Sequence, residues 1–78
     1  MKKVQIYSTP TCSYCHMAKE FFNKNNVNYD DFDVAVNLEK RKEMVEKSGQ
    51  MGVPVILIGN ELIVGFDKAK ISGLLGVK

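Results

Sequence analysis

Residues 3–22, KVQIYSTPTCSYCHMAKEFF, join a strand pattern to a helix pattern through a short turn. The apolar residues of Lys3–Tyr7 alternate, which predicts a short strand, and Ser8–Thr11 supplies turn and cap residues. From Ser13 to about Asn25 a helix is predicted, because apolar residues recur at the spacing of one helical face. Those residues are Tyr14, Cys15, Met17, Ala18, Phe21 and Phe22. The stretch therefore predicts a strand that runs straight into a helix.

The rest of the chain continues this alternation of patterns. The predicted elements are a second strand over Val27–Val34, a surface helix over Leu38–Lys47 capped by Asn37 and ended near Gly49, strands over Val55–Ile58 and Glu61–Val64, and a helix over Lys68–Leu75 between Asp67 and Gly76. Only Gly59 and Asn60 separate the third and fourth strands, which predicts an antiparallel hairpin.

This order of elements, βαβαββα, predicts the architecture. The opening βαβ unit should be right-handed with parallel strands, and the hairpin should add antiparallel strands to the same sheet. The fold class is therefore α/β, with a mixed four-stranded sheet, helices on both faces and a thioredoxin-like layout. Since 78 residues leave no room for a second core, we expect residues 1–78 to form a single domain.

Composition and charge exclude several classes of function. The net charge of +2 comes from interspersed acidic and basic residues, so no basic stripe marks a nucleic-acid partner. Neither an export signal nor a membrane span is predicted, because the apolar run behind Met1 is broken at Gln5 and ends by Ser8. We expect a cytoplasmic, monomeric protein, and in that compartment a C-x-x-C pair indicates redox or metal chemistry.

Cys12 and Cys15 form this C-x-x-C pair at the start of the first helix. Residues three apart in a helix have Cα atoms roughly 5 Å apart, inside the range of about 4.4–6.8 Å that a disulfide needs. The positive end of the helix favours a thiolate at Cys12, which predicts that Cys12 is the nucleophile. Cys15 lies one turn later on the apolar face, so it should stay a thiol until it resolves a mixed disulfide.

Other interpretations of this motif are possible but weaker. With His16 the motif also spells C-x-x-C-H, the attachment sequence for c-type haem, yet the chain has no export signal and an α/β pattern. A zinc site would need carboxylates to complete its ligands. Two inert buried cysteines are the remaining alternative.

Pro54 stands immediately before a strand that should be central, a position where proline is disfavoured. A cis bond between Val53 and Pro54, at a tight entry to the strand, resolves this conflict.

Three segments, YSTPTCSYCH (7–16), GVPV (52–55) and GFD (65–67), together resemble the glutaredoxins and their thioredoxin-like relatives. The resemblance covers essentially the whole chain. It implies a dithiol-disulfide oxidoreductase in which Cys12 attacks protein or glutathione mixed disulfides and Cys15 resolves them. It also implies no tightly bound cofactor, with glutathione as co-substrate.

The resemblance assigns substrate-binding residues as well. Cis-Pro54 would let Val53 offer its backbone groups to a bound peptide or to glutathione, and Tyr14 would flank the glutathione. The loop Gly65-Phe66-Asp67 would hold the γ-glutamyl end through backbone N–H groups and the Asp67 side chain.

Two further functions stay open within this resemblance. Many glutaredoxins carry a lysine shortly before the first cysteine, whereas Ser8-Thr9-Pro10 stands here, and Gly65-Phe66 is similar to the glutaredoxin-like electron donors of ribonucleotide reductase, which thioredoxin reductase reduces. Ser13 stands where proline is more usual, as in relatives that hold an iron-sulfur cluster between two protomers through the first cysteine and glutathione.

Overall fold

The computed structural model describes residues 2–77, which form a four-stranded sheet and three helices. The strands are β1 (Val4–Ser8), β2 (Asp30–Asp33), β3 (Val55–Ile58) and β4 (Glu61–Val64), and the helices are α1 (Ser13–Lys24), α2 (Leu38–Ser48) and α3 (Lys68–Leu75). The predicted order βαβαββα is confirmed. Within residues 2–77, no helix has the length and apolar character needed to cross a membrane.

The strands lie in the order β2-β1-β3-β4. β1 pairs in parallel with β2, as the βαβ pattern predicts, and antiparallel with β3. β3 and β4 form the predicted antiparallel hairpin around Gly59, whose positive φ of 60° suits its tight turn. The sheet is therefore mixed, with the hairpin added beside β1.

Two apolar clusters cover the opposite faces of the sheet. The larger packs α1 and α3 against one face through Val4, Ile6, Ala18, Phe21, Phe22, Ile56, Ile58, Ile63 and Ile71. The smaller places α2 on the other face and contains Tyr7, Val34, Met44 and Val55. Side chains along β1 point alternately to the two faces of the sheet, so Ile6 belongs to the larger cluster and Tyr7 to the smaller one. The prediction of helices on both faces is confirmed.

Three expectations from the sequence need correction. β2 occupies only Asp30–Asp33 of the predicted Val27–Val34, because pairing with β1 fixes the strand over these residues. Ahead of it, Val27 and Tyr29 pack against the larger cluster from a loop. On α1, Tyr14 and Met17 are 62% and 49% exposed, so the buried face is narrower than the apolar pattern indicates. β1 ends one residue later than predicted, at Ser8.

The end of α1 is closed by a left-handed residue. Asn26 has a φ of 57°, and the N–H groups of Asn26 and Val27 donate to the carbonyls of Asn23 and Phe22. This pair of bonds satisfies carbonyl groups that a helix end leaves free. The predicted end of this helix at about Asn25 is confirmed, since α1 ends at Lys24 with Asn25 as its C-cap.

Candidate active site

Three loops meet at one end of the sheet. In the β1-β3-β4 register Tyr7 lies opposite Val55, and Val55 opposite Val64. The segment after β1, which leads to Cys12, the Val53-Pro54 segment before β3 and the segment after β4 therefore leave the sheet at the same edge. This arrangement gathers the residues that the sequence singles out, although they lie far apart along the chain.

Cys12 is the N-cap residue of α1. Its backbone is extended, with φ −89° and ψ 111°, and its Sγ accepts a hydrogen bond from the backbone N–H of Cys15 at 3.2 Å. The side chain is partly exposed. Because a free helix N–H and the positive helix end both favour negative charge, this position suits an accessible thiolate.

Cys15 has the opposite environment. It is fully buried, and both cysteines are free thiols in this structure. Burial raises the pKa of the Cys15 thiol well above its ordinary value, and a hydrogen bond with Cys12 raises it further. A backbone hydrogen bond with Thr9 and the charge of Lys19 act in the opposite direction. At neutral pH, Cys15 is therefore a buried, protonated thiol.

The loop before Cys12 is held in place by His16. The Nε2–H of His16 donates to the carbonyl of Pro10 at 2.7 Å, and since a carbonyl only accepts, Nε2 carries the proton. The Cys12 N–H also donates to the Thr9 carbonyl at 3.4 Å. His16 is exposed, as predicted from its place in the helix, but its hold on the Cys12 loop has no sequence signature. Residues 2–77 contain no cluster of three or more His, Cys, Asp and Glu side chains suited to a metal ion.

The Val53-Pro54 peptide bond is cis, which confirms the prediction from Pro54's place before β3. Pro54 is buried and Val53 half-buried at the sheet end that carries Cys12. Tyr14, by contrast, projects from the first turn of α1 into solvent. Their predicted roles in substrate binding stay predictions, and their positions around the thiols are compatible with them.

The Gly65-Phe66-Asp67 loop lies beside Pro54, but much of its bonding capacity is used within the protein. The Gly65 N–H donates to the Pro54 carbonyl at 2.8 Å, and the positive φ of 87° at Gly65 favours glycine. Asp67 caps α3, with its Oδ1 accepting from the Lys70 N–H at 3.2 Å. The Phe66 ring packs edge-on against Phe21, with centroids 6.0 Å apart. The Gly65 N–H is therefore already hydrogen-bonded, so the loop has fewer N–H groups left to bind an anion.

A shallow groove runs between α1 and the start of α3. It has a volume of about 260 Å³ and is lined by Met17, Glu20, Phe21, Lys24, Phe66 and Lys68. A larger cavity of about 580 Å³ lies at the other end of α1, beside Asn25, Tyr29 and Leu75, away from both cysteines. The smaller groove shares Phe66 with the Gly65-Phe66-Asp67 loop.

A polar cluster that the sequence does not indicate lies behind the cysteines. The buried Ser8 hydroxyl donates to Asp31 Oδ1 at 2.7 Å, and Lys19 Nζ pairs with Asp31 Oδ2 at 2.7 Å. Lys19 is four residues after Cys15, on the same face of α1. The spacing from Cys15 to Lys19 is visible in the sequence, but the pairing with Asp31 depends on the register of β2.

Comparison with known proteins finds similar proteins that cover most of this chain. A family model described as glutaredoxin matches residues 4–63. A glutaredoxin-like 8.6 kDa protein in the rubredoxin operon of Clostridium pasteurianum is 46% identical over 72 residues, covering 92% of this chain and 96% of that protein. Glutaredoxin 3 of Escherichia coli K12 is 39% identical over 67 residues, covering 86% of this chain and 81% of that protein.

Among solved structures, a mutant of the thioredoxin-like protein BC3987 superposes with a TM-score of 0.92 at 33% identity, covering 100% of both chains. These similarities agree with the architecture.

Proposed function

The chain belongs to the glutaredoxin family and is a thiol-disulfide oxidoreductase, and from that premise we propose that Cys12 attacks the substrate disulfide and Cys15 resolves the product. The observation that carries this assignment is the asymmetry of the pair: the partly exposed Cys12 sulfur accepts the Cys15 N–H, whereas the Cys15 thiol is fully buried. Attack needs an accessible thiolate, and resolution needs a thiol held nearby.

The exchange proceeds in two displacements. The Cys12 thiolate attacks one sulfur of a substrate disulfide, forms a mixed disulfide and releases the other half as a thiolate. The Cys15 sulfur then attacks Cys12 Sγ, forming the Cys12–Cys15 disulfide and releasing the second substrate thiolate, which takes up the proton that Cys15 loses. Two electrons pass from the protein dithiol to the substrate, and reduction by an external thiol closes the cycle.

We assign glutathione as the reductant and glutathione mixed disulfides as one class of substrate, together with disulfide-containing proteins. The placement of Tyr14, Val53 and the Gly65-Phe66-Asp67 loop around the sheet end of Cys12 supports this assignment. Because free dithiols persist in reducing compartments, we assign the protein to the cytoplasm.

A second candidate reductant is thioredoxin reductase, with ribonucleotide reductase as the electron acceptor. Residues 8–11, Ser-Thr-Pro-Thr, carry no cation for the glycine carboxylate of glutathione. The Gly65 amide already bonds to Pro54, which reduces the donors available to the γ-glutamyl end. Both observations favour a reductant that is itself a protein and binds through a protein–protein contact.

A coupled assay separates the roles of the two thiols and the two reductants. NADPH oxidation is followed with glutathione plus glutathione reductase, and in parallel with thioredoxin reductase, using a glutathione mixed disulfide and a protein disulfide as substrates. We expect Cys12→Ser to abolish turnover and Cys15→Ser to retain activity on the glutathione mixed disulfide alone. Full turnover by Cys12→Ser would overturn the thiol assignment, and activity with thioredoxin reductase alone would select the second reductant.

A further inference from the structure

Lys19 is held beside the resolving thiol in an unusually restricted position for a lysine. It follows Cys15 by four residues, about 6 Å along the helix axis, on the same face of α1. Its side chain is only 20% exposed, and its Nζ lies 2.7 Å from Asp31 Oδ2. A surface lysine usually keeps its ammonium group in bulk water, so this burial requires compensation.

Three elements supply that compensation. Asp31 belongs to β2, Lys19 to α1, and the Ser8 hydroxyl at the end of β1 donates to Asp31 Oδ1 at 2.7 Å. Ser8 is 1% exposed, so its hydroxyl has little access to water and depends on this bond. The carboxylate is thus fixed from one side by Ser8, and it fixes the ammonium group of Lys19 on the other.

Two charged or titratable side chains among residues 2–77 act on the Cys15 thiol: Cys12 from the loop before α1, and Lys19 from one turn further along α1. Asp31 on β2 pairs with Lys19. The positive charge of Lys19 lowers the pKa of the Cys15 thiol, against the larger effects of burial and of the hydrogen bond with Cys12. Lys19 is therefore the cation placed to offset the cost of forming a thiolate at a buried site.

We propose that Lys19, held by Asp31 and Ser8, is a positioning residue for the resolving step, where its ammonium charge stabilises the thiolate that forms on Cys15. The proposal rests on the assigned roles of Cys12 and Cys15. As the Cys15 proton leaves and its sulfur attacks Cys12 Sγ, negative charge grows in a buried site beside the fixed ammonium group. Lys19 keeps its proton throughout, and the departing substrate thiolate accepts the one that Cys15 loses.

A stopped-flow experiment isolates this step. The reduced protein is mixed with one equivalent of 5,5′-dithiobis(2-nitrobenzoic acid), an aryl disulfide that releases a coloured thiolate twice. The first release reports attack by Cys12, and the second, independent of reagent concentration, reports resolution by Cys15. Measuring the second phase from about pH 6 to about pH 9 shows how its rate rises as the fraction of Cys15 thiolate grows.

Removing the charge should slow only the second phase. We expect Lys19→Gln to reduce its rate by about tenfold throughout this pH range, since one pKa unit corresponds to a factor of ten in the fraction of thiolate. The first phase should stay within about twofold. Lys19→Met retains an apolar stem that packs in the same place, so it provides the same test if the glutamine variant folds poorly.

Two matched variants separate electrostatics from structure. Lys19→Arg keeps the charge and should stay within about twofold of the original rate, while Lys42→Gln removes the same charge from the exposed face of α2 and should change nothing. Unchanged second-phase kinetics in the neutral Lys19 variants would overturn the proposal. So would a second phase that Lys19→Arg slows as much as Lys19→Gln does, because that pattern indicates a structural role only.

Failure of the underlying assignment gives a different result. Cys15→Ser should lack the second phase entirely. If that variant still released the second coloured thiolate at the original rate, the role of Cys15 would be wrong, whatever the Lys19 variants do. In the Cys15→Ser background, Lys19→Gln should leave turnover of a glutathione mixed disulfide within about twofold, since the step that Lys19 assists is absent.

Discussion

Tyr7 and Ser8 are neighbours on β1, both buried, and they point to opposite faces of the sheet. Each hydroxyl donates at 2.7 Å to a carboxylate that a lysine also contacts: Tyr7 to Glu43 with Lys40, and Ser8 to Asp31 with Lys19. The local chemistry is the same, yet only the Ser8 cluster lies behind the cysteine pair. Position relative to Cys15 therefore separates a structural cluster from one that we expect to affect catalysis.

The two clusters also differ in how firmly they hold their lysine. Lys19 has a side chain 20% exposed, against 33% for Lys40, and Lys40 divides its contacts between Glu43 and the Phe32 ring, 4.3 Å from its Nζ. Glu43 also forms an ion pair with Lys47, whose Nζ lies 3.8 Å from Glu43 Oε1. The Tyr7 cluster is thus a broad surface network that ties α2 to the sheet, whereas the Ser8 cluster fixes one ammonium group.

The largest expected effect tests whether the Tyr7 cluster is structural only. Tyr7→Phe removes a hydrogen bond to a carboxylate and should lower the free energy of unfolding by about 1.5 kcal/mol. The resolving phase of the exchange should stay within about twofold. Urea unfolding measures the stability, and the stopped-flow assay measures the resolving rate. If Tyr7→Phe changed the resolving rate and left the stability unchanged, the Tyr7 cluster would not be structural only.

Ser8→Ala is the matched change in the other cluster. It should cost about 1 kcal/mol, because Asp31 keeps Lys19 as a partner and is partly exposed. It should also slow the resolving phase about twofold, since Asp31 no longer holds the ammonium group as tightly. A Ser8 variant that loses stability but keeps the original resolving rate at every pH would show that the Lys19 position does not depend on this bond.

The smallest effect concerns acid stability. Hydrogen bonds from Tyr7 and Lys40 lower the pKa of Glu43, so its contribution is present above its ordinary pKa of about 4.3 and is lost as the pH falls through the lowered value. Because the side chain is 35% exposed, screening reduces this contribution to a few tenths of a kcal/mol. Glu43→Gln should flatten the decline in unfolding free energy below about pH 4.5. If the free energy of unfolding of Glu43→Gln declined below about pH 4.5 as steeply as that of the original protein, the assignment would be contradicted.

Local patterns are sufficient for most of the fold. The two-residue Gly59-Asn60 turn, the Asp67 cap and the placement of Cys12 before α1 each depend on residues close together in the chain, and the structure agrees with all three. The predicted β2 is too long, because its bounds depend on pairing with β1 rather than on its own composition.

The candidate site also combines features set by neighbouring residues with contacts between residues far apart in the chain. The cysteine pair and the cis bond before Pro54 follow from spacing and from proline chemistry, so the sequence indicates them. The Ser8–Asp31 bond joins residues 23 positions apart, and no local pattern predicts such a contact. Tyr14 is predicted on the buried face but is exposed, since periodicity gives the direction of a helical face without showing where its neighbours end.

Selective alkylation tests the central claim, the asymmetry of the two thiols, most directly. The reduced protein is treated briefly with iodoacetamide at pH 7, and the labelled sites are quantified by peptide mass spectrometry. The accessible sulfur of Cys12 should react at least about tenfold faster than the buried Cys15 thiol. Equal labelling of both residues, or preferential labelling of Cys15, would contradict the assignment of Cys12 as the attacking group.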